Sequence, residues 1–214
     1  MMKVLVTGFQ PFGKDTMNPS YEAVKLLPDE IMGAQIVKEE IPVVFRKGGE
    51  AVQAAVRREQ PDVVLLVGQA GGRTAMNVER VAINCEDCPP NFPDNEGNCP
   101  QGEKVYNDGP DAYFATVPIK AMVQKMTENG VPAVISNTAG TYVCNDLMYC
   151  LLHQLHKEFP KARGGFIHVP YATIQNYPKM ASMTLEQMAK GLALCIEAVI
   201  ENKGDISVAS GATH

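Results

Sequence analysis

Val63-Val64-Leu65-Leu66-Val67-Gly68-Gln69-Ala70-Gly71-Gly72 begins with five consecutive apolar residues and then breaks into glycine. A strand that is apolar on both of its faces must be covered on both faces. That is the situation of a central strand in a largely parallel sheet flanked by helices. The glycines that follow let the backbone turn tightly or approach a ligand closely.

The sequence on either side supplies the covering layers. Residues 3–7 and 34–44 read as strands before this run, and residues 133–136 and 165–169 as strands after it. Amphipathic stretches alternate with them. Residues 19–27 read as a helix capped by Asn18, with Pro19 in its first turn. Residues 47–60 form a helix stopped by Pro61, and residues 111–129 a helix that Pro118 kinks or splits. Residues 145–159 and 184–202 complete the set. Strands alternating with helices predict an α/β fold, a three-layer α/β/α sandwich around a mixed, largely parallel sheet. One domain over 1–206 accounts for the whole pattern, with 207–214 as a flexible tail. The segment 68–110 is rich in Gly, Pro, Asn and Asp, with one strand-like island near 78–84. A connection of that length inside a compact domain is commonly functional.

The 214 residues carry a formal net charge of -5, with no Lys/Arg run. This gives no footprint for nucleic acid and none for an anionic membrane surface. The N-terminal apolar stretch is interrupted at Gly8 and is too short for a signal-peptide core, so a cytoplasmic protein is expected. In that compartment the six cysteines are expected as thiols.

Cys144 stands out among them. It follows a buried strand and a turn containing Gly140, and it falls at the start of a helix. Unpaired amides and the helix dipole favour a thiolate there and lower its pKa, and the same amides suit an oxyanion. The strand-turn-helix arrangement parallels the elbow that displays serine nucleophiles. The competing reading is a small thiol packing a helix on a sheet. A nucleophilic Cys needs a base, and the sequence holds four histidines. His214 is the last residue of a weak tail. His153 and His156 lie on the Cys144 helix about 13 Å or more away, at 1.5 Å per residue. His168 ends an apolar strand, at the sheet edge where α/β folds gather their ligand sites. Glu79 is a candidate to hold the imidazole tautomer, with surface ion pairing as the alternative. Cys85-x-x-Cys88 with Cys99 has a zinc-like opening but no clear second pair, so no metal and no cofactor is expected. Gly68–Gly72 lacks the pattern of a nucleotide loop.

Five segments taken together resemble the pyroglutamyl peptidase I family. They are Thr7-Gly8-Phe9-Gln10-Pro11-Phe12-Gly13 with Asn18-Pro19-Ser20; Val67 to Arg73 with Glu79 to Asn84; Pro93-Asp94-Asn95-Glu96-Gly97; Ser136 to Asn145; and Gly164 to Tyr171. The resemblance runs in order from residue 3 to about 200. It implies a Cys-His-Glu triad at Cys144, His168 and Glu79 and a cysteine exopeptidase. Such an enzyme removes N-terminal pyroglutamate from peptides through a thioester, in a cytosolic homotetramer. Asn77 stands where the family usually has Ser or Thr. Asn91 stands where bacterial members usually carry an arginine associated with the oxyanion.

A neutral lactam calls for a small apolar slot with a few amide hydrogen bonds. Phe9 and Phe12 are placed to sandwich the ring, as the resemblance also suggests. Val43, Val44, Phe92 and Tyr142 are further walls, and the Gln69 backbone is the reader of the lactam polar edge. Each aromatic has core packing as its alternative. A different amidase using the same dyad, or a small-ligand binding module with an inert Cys144, remains open from the residues alone.

Overall fold

A computed structural model describes residues 1–210. In chain order the strands are β1 (Lys3–Phe9), β2 (Glu30–Ile31), β3 (Ala34–Ile41), β4 (Val63–Gln69), β5 (Met76–Glu79), β6 (Val81–Ile83), β7 (Glu86–Asp87), β8 (Gln101–Glu103), β9 (Ala112–Phe114), β10 (Ala133–Ser136), β11 (Arg163–Val169), β12 (Tyr171–Ala172) and β13 (Ser182–Met183). The α-helices are α1 (Pro19–Lys25), α2 (Lys47–Glu59), α3 (Ile119–Glu128), α4 (Val143–Glu158) and α5 (Leu185–Glu201).

β4 has the role its sequence demands. It lies inside a seven-stranded sheet of order β10-β5-β11-β4-β1-β3-β2. Val63, Leu65 and Val67 face one layer, and Val64 and Leu66 face the other. The first layer holds Ala23 and Val24 of α1, Met122 and Met126 of α3, and Met188, Leu192 and Ile196 of α5. The second holds Val52 and Val56 of α2 with Leu147, Met148 and Leu151 of α4. The result is the expected three-layer sandwich. The sheet is mixed: β1 runs parallel to β3 and β4, β4 to β11, and β5 to β10, whereas β5 is antiparallel to β11 and β2 to β3.

Local chemistry fixes the helix starts. The Asn18 side chain accepts from the Ser20 amide at 3.1 Å, so the cap and Pro19 act as the sequence indicates. Thr184 and Gln187 form a reciprocal capping box at the head of α5. Two readings are corrected. The stretch 111–129 is not one helix. Pro118 stands immediately before α3, and Ala112–Phe114 ahead of it is a strand paired with β6. The Pro118 ring fits only the first turn of a helix, which frees the preceding residues for sheet pairing. The island near 78–84 is likewise two strands. β5 enters the main sheet, and β6 leaves it to pair with β9.

The expected tail divides. Residues 207–210 form no regular element, and they are tethered by Lys120 Nζ to the Val208 carbonyl and by Arg80 Nη2 to the Ser210 carbonyl. Residues 211–214, including His214, lie outside the described residues. Among the described residues no helix is long and apolar enough to cross a membrane.

Candidate active site

Cys144 is the second residue of α4, one position earlier than the helix its sequence suggests. β10 ends at Ser136, and the chain turns through Gly140 at φ +81°, a conformation that glycine adopts without strain. Tyr142 caps α4 in an extended conformation with no side-chain cap bond. Its carbonyl takes the amides of Asn145 and Asp146 at 2.9 and 3.2 Å. That leaves the amides of Val143 and Cys144, at the very start of the helix, as the ones without an internal helical partner. The start of α4 is fixed to the sheet side by Asn145. Its side chain accepts from the Ile83 amide and donates to the Ile83 and Cys85 carbonyls, all within 3.0 Å.

The sulfur lies directly over Gly68. A β-carbon built on Gly68 would stand 3.1 Å from Cys144 Sγ and 2.7 Å from Phe166 Cζ. Gly68 is therefore required by close approach. In the sheet register Gly68 lies opposite His168. Parallel neighbours are about 4.8 Å apart, so the imidazole rises from the strand next to the sulfur's floor. Side-chain parity completes the set. Glu79 pairs with Phe166, and His168 lies two residues beyond Phe166, so all three share the α2/α4 face of the sheet. On that face His168 Nδ1 and Glu79 Oε1 are 2.7 Å apart. Of the three sequence candidates, Glu79 and His168 are thus hydrogen-bonded, and Cys144 packs over the strand beside them.

Arg73 is the participant that sequence reasoning left without a role. It leaves the glycine-rich loop after β4 and donates Nη1 to Glu79 Oε1 at 2.7 Å. Its Nη2 donates to the Thr138 carbonyl at 3.4 Å. Glu79 is fully buried, and its Oε2 has no partner among the described residues. A buried carboxylate needs charge compensation, and Arg73 supplies it. The only sequence signal for this was an arginine closing the loop ahead of a buried acid.

The electrostatics differ from expectation at Cys144. Burial pushes its thiol up to about 12, the Glu79 carboxylate adds to the rise, and Arg73 pulls against it. Enclosure of the sulfur thus works against the thiolate that the helix start favours. Burial likewise lowers the His168 pKa; Glu79 opposes that shift, and Arg73 reinforces it. Both shifts favour a neutral thiol beside a neutral imidazole.

A small cleft opens next to the sulfur, lined by Phe9, Phe12, Asn18, Val43, Gln69, Tyr142, Val143 and Cys144. Five expected pocket residues therefore converge: Phe9, Phe12, Val43, Gln69 and Tyr142. Asn18 and Val143 join them; the first was noted in the sequence as a helix cap and within a family-like segment, and neither as a pocket wall. The Gln69 side-chain oxygen is held by Gln175 Nε2 at 3.0 Å, and the same nitrogen reaches Asp15. Phe92 is half-exposed and packs from outside, edge-on to Phe12 at 5.9 Å between ring centres and tilted against Tyr142 at 5.5 Å. Val44 is buried but lines a separate cavity with Phe45, Arg46, Glu86 and Cys99. Asn91 is exposed, in a turn closed by the Phe92 amide and the Pro89 carbonyl.

Residues 2–202 match the pyroglutamyl peptidase family, Peptidase_C15. The chain belongs to the pyroglutamyl peptidase family. It is 51% identical over 213 residues to a pyrrolidone-carboxylate peptidase of Clostridium perfringens, covering 99% of each chain. A pyrrolidone-carboxylate peptidase of Lactobacillus johnsonii is 52% identical over 217 residues, with both chains fully covered. Pyroglutamyl peptidase I of Bacillus amyloliquefaciens superposes with a TM-score of 0.93 at 43% identity, over 97% of this chain and 99% of the other. Pyrrolidone carboxyl peptidase of Thermococcus litoralis gives 0.89 at 35% identity, over 94% of each. Pyroglutamyl peptidases are hydrolases, so the cleft lies in an enzyme and not in a passive binding module. Among the described residues no group of three or more His, Cys, Asp and Glu side chains is arranged to hold a metal ion.

Proposed function

We propose that this enzyme removes N-terminal pyroglutamate from peptides with Cys144 as nucleophile, His168 as base and acid, and Glu79 as the group that orients His168. The observation that carries the reading is the 2.7 Å contact between Glu79 and His168 on the strand beside the floor of Cys144. Glu79 holds Nδ1, which leaves Nε2 of the neutral imidazole with its lone pair for the thiol proton.

The lactam ring enters between Phe9 and Phe12, against Val43 and Tyr142, with Phe92 closing the outer side. The Gln69 backbone reads the lactam polar edge. As the sulfur attacks the pyroglutamyl carbonyl, its proton passes to His168. The resting pair is neutral, so transfer accompanies attack. The oxyanion is held by first-turn amides of α4. The tetrahedral adduct collapses, the C–N bond breaks, and His168 gives the proton to the departing amine. Water, deprotonated by His168, then opens the thioester and restores the thiol. Asn91 stands at the family's arginine position, and its exposed turn leaves the α4 amides as the principal oxyanion donors. The same reading places the enzyme in the cytoplasm as a homotetramer, which sedimentation of the purified protein tests.

The decisive assay compares fluorogenic pyroglutamyl and prolyl amides. Turnover of the pyroglutamyl amide is expected, and it is abolished in Cys144→Ala and Cys144→Ser. Activity on the prolyl amide alone, or unchanged turnover in either variant, overturns the assignment.

A further inference from the structure

Five of the six cysteines have no part in the site just described, and two of them, Cys88 and Cys99, are in contact. Cys88 directly follows β7, and Cys99 lies two residues before β8. These strands are antiparallel, and the Cys88 amide donates to the Pro100 carbonyl at 3.2 Å. The two cysteines therefore stand at the neck of the loop 89–98. The Cys88 thiol donates to Cys99 Sγ with the sulfurs 3.1 Å apart. Gln101 Nε2 donates to Cys99 Sγ at 3.3 Å and to the Cys88 carbonyl at 3.0 Å, which holds the pair together. A disulfide needs an S–S distance of about 2.05 Å, so the sulfurs have about 1 Å to close. Among the described residues no other two cysteine sulfurs are hydrogen-bonded to each other.

We propose that Cys88 and Cys99 form a reactive dithiol site for low-molecular-weight disulfides, which oxidise it to an intrachain bond clamping the neck of loop 89–98. Access sets the order of events. Cys88 is 4% exposed. Cys99 is partly exposed and lines a cavity of about 530 Å³ shared with Val44, Arg46 and Glu86. Cys99 therefore reacts first. Its thiol loses a proton, and the sulfur attacks one sulfur of the reagent. The reagent S–S bond breaks, and one thiolate leaves with the electron pair. Cys88 then loses its proton and attacks Cys99 Sγ in the mixed disulfide, expelling the second thiolate. In sum the two cysteines lose two protons and two electrons, and the reagent disulfide is reduced to two thiols. Burial, followed by the neighbouring Cys99, pushes the Cys88 thiol up to about 11, which makes the second step the slow one.

The loop so clamped carries Asn91 and Phe92. It is anchored at its far side by Asp94, which accepts from the amides of Phe45, Glu96 and Asn98 at 2.9 Å each. Tyr142 donates its hydroxyl to the Pro93 carbonyl at 3.1 Å. The bond thus stiffens a segment packed against the pocket. Only this link to catalysis rests on the proposed function.

The test exposes the full-length protein to graded oxidised and reduced glutathione, quenches it by alkylation and maps the peptides by mass spectrometry. A Cys88–Cys99 cross-linked peptide, about 2 Da lighter than the dithiol, is expected, and reduction reverses it. In Cys88→Ser the reaction stops with glutathione held on Cys99. Hydrogen exchange of the amides of Asn91, Phe92 and residues 94–98 slows several-fold in the oxidised protein. Cys88 and Cys99 recovered fully alkylated at the most oxidising ratio, or cross-linked to other cysteines, overturn the site. Unchanged exchange despite the cross-link overturns the clamp. If the serine variant does not fold, the map of the unsubstituted protein still decides. None of these readouts uses turnover, so failure of the peptidase reading is recorded separately by the pyroglutamyl amide assay on the reduced enzyme.

Discussion

Glu79 and His168 meet at 2.7 Å although 89 positions separate them, and their strands run in opposite directions. The contact exists because β5 enters the sheet reversed beside β11. That reversal sets Asn77 opposite His168 and Glu79 opposite Phe166, two residues back along β11 on the same face, from which the carboxylate reaches the imidazole. Glu79 Oε1 takes Arg73 at the same distance, so the imidazole and the guanidinium share one carboxylate oxygen.

Glu79→Gln keeps the shape and removes the charge that holds the imidazole tautomer. A fall in kcat of about 10⁴-fold is expected, by analogy with the loss of the buried acid in serine triads. Arg73→Met leaves Glu79 buried without its cation. Because Arg73 is partly exposed, the stability cost is discounted to about 1–2 kcal/mol. Urea unfolding and kcat measured on both variants check this. A fully active Glu79→Gln enzyme would remove Glu79 from the mechanism.

The pH profile follows from His168. Its pKa is lowered below the ordinary value of about 6.5, and the proposed base must be neutral. Activity is therefore complete above about pH 6.5 and is lost only as pH falls through the lower folded-state value. Arg73 contributes to the lowering. In Arg73→Met the acid limb of kcat/KM moves to higher pH. A limb that stays fixed shows that Arg73 does not act on the imidazole.

Gly68→Ala places a methyl group 2.7 Å from Phe166 and 3.1 Å from the Cys144 sulfur. Overpacking of this kind costs about 1–3 kcal/mol. Displacement of the sulfur adds a kcat loss of at least about tenfold, since positional errors of an ångström are costly in catalysis. Thermal unfolding together with steady-state kinetics separates the two effects. Wild-type kcat in the alanine variant would mean that the sulfur does not need this floor.

Asp146 gives a second pH dependence, independent of the chemistry. Burial pushes its carboxyl up to about 7, the Arg46 amide opposes the rise, and Glu86 adds to it. Between about pH 4 and 7 the folded chain keeps a proton that the unfolded chain releases. The stabilisation is present at the acid end and falls as pH rises through that window. Asp146→Asn keeps an acceptor for the Arg46 amide and removes the titration. Its Tm is expected to fall less steeply than wild type from pH 4 to 8, and parallel curves would dismiss the effect.

The sheet and its helices were legible because the apolar runs 63–67 and 165–169 can be satisfied only by burial. Cys144 and His168 were legible because both fall where strands end. Arg73 was not, since its partner is set by the reversed strand β5, and no periodicity records strand direction. The 111–129 helix failed for a related reason. Ala112–Phe114 is short, and only its partner β6 makes it a strand. The upward pull on the Cys144 pKa was not legible, because the sequence shows the helix start but not the enclosure of the sulfur against Gly68 and Phe166.

β11 sits between β4 and β5, with β10 beyond β5. It is the last of the seven main-sheet strands to be synthesised, yet it occupies an inner position. Until residues 163–169 leave the ribosome, no strand is present that can join β4-β1-β3-β2 to β10-β5. Glu79 then lacks its imidazole partner. On the proposed assignment, a chain that ends before β11 holds Cys144 and Glu79 but not His168, and the site is complete only once the strand that joins the two halves of the sheet is inserted.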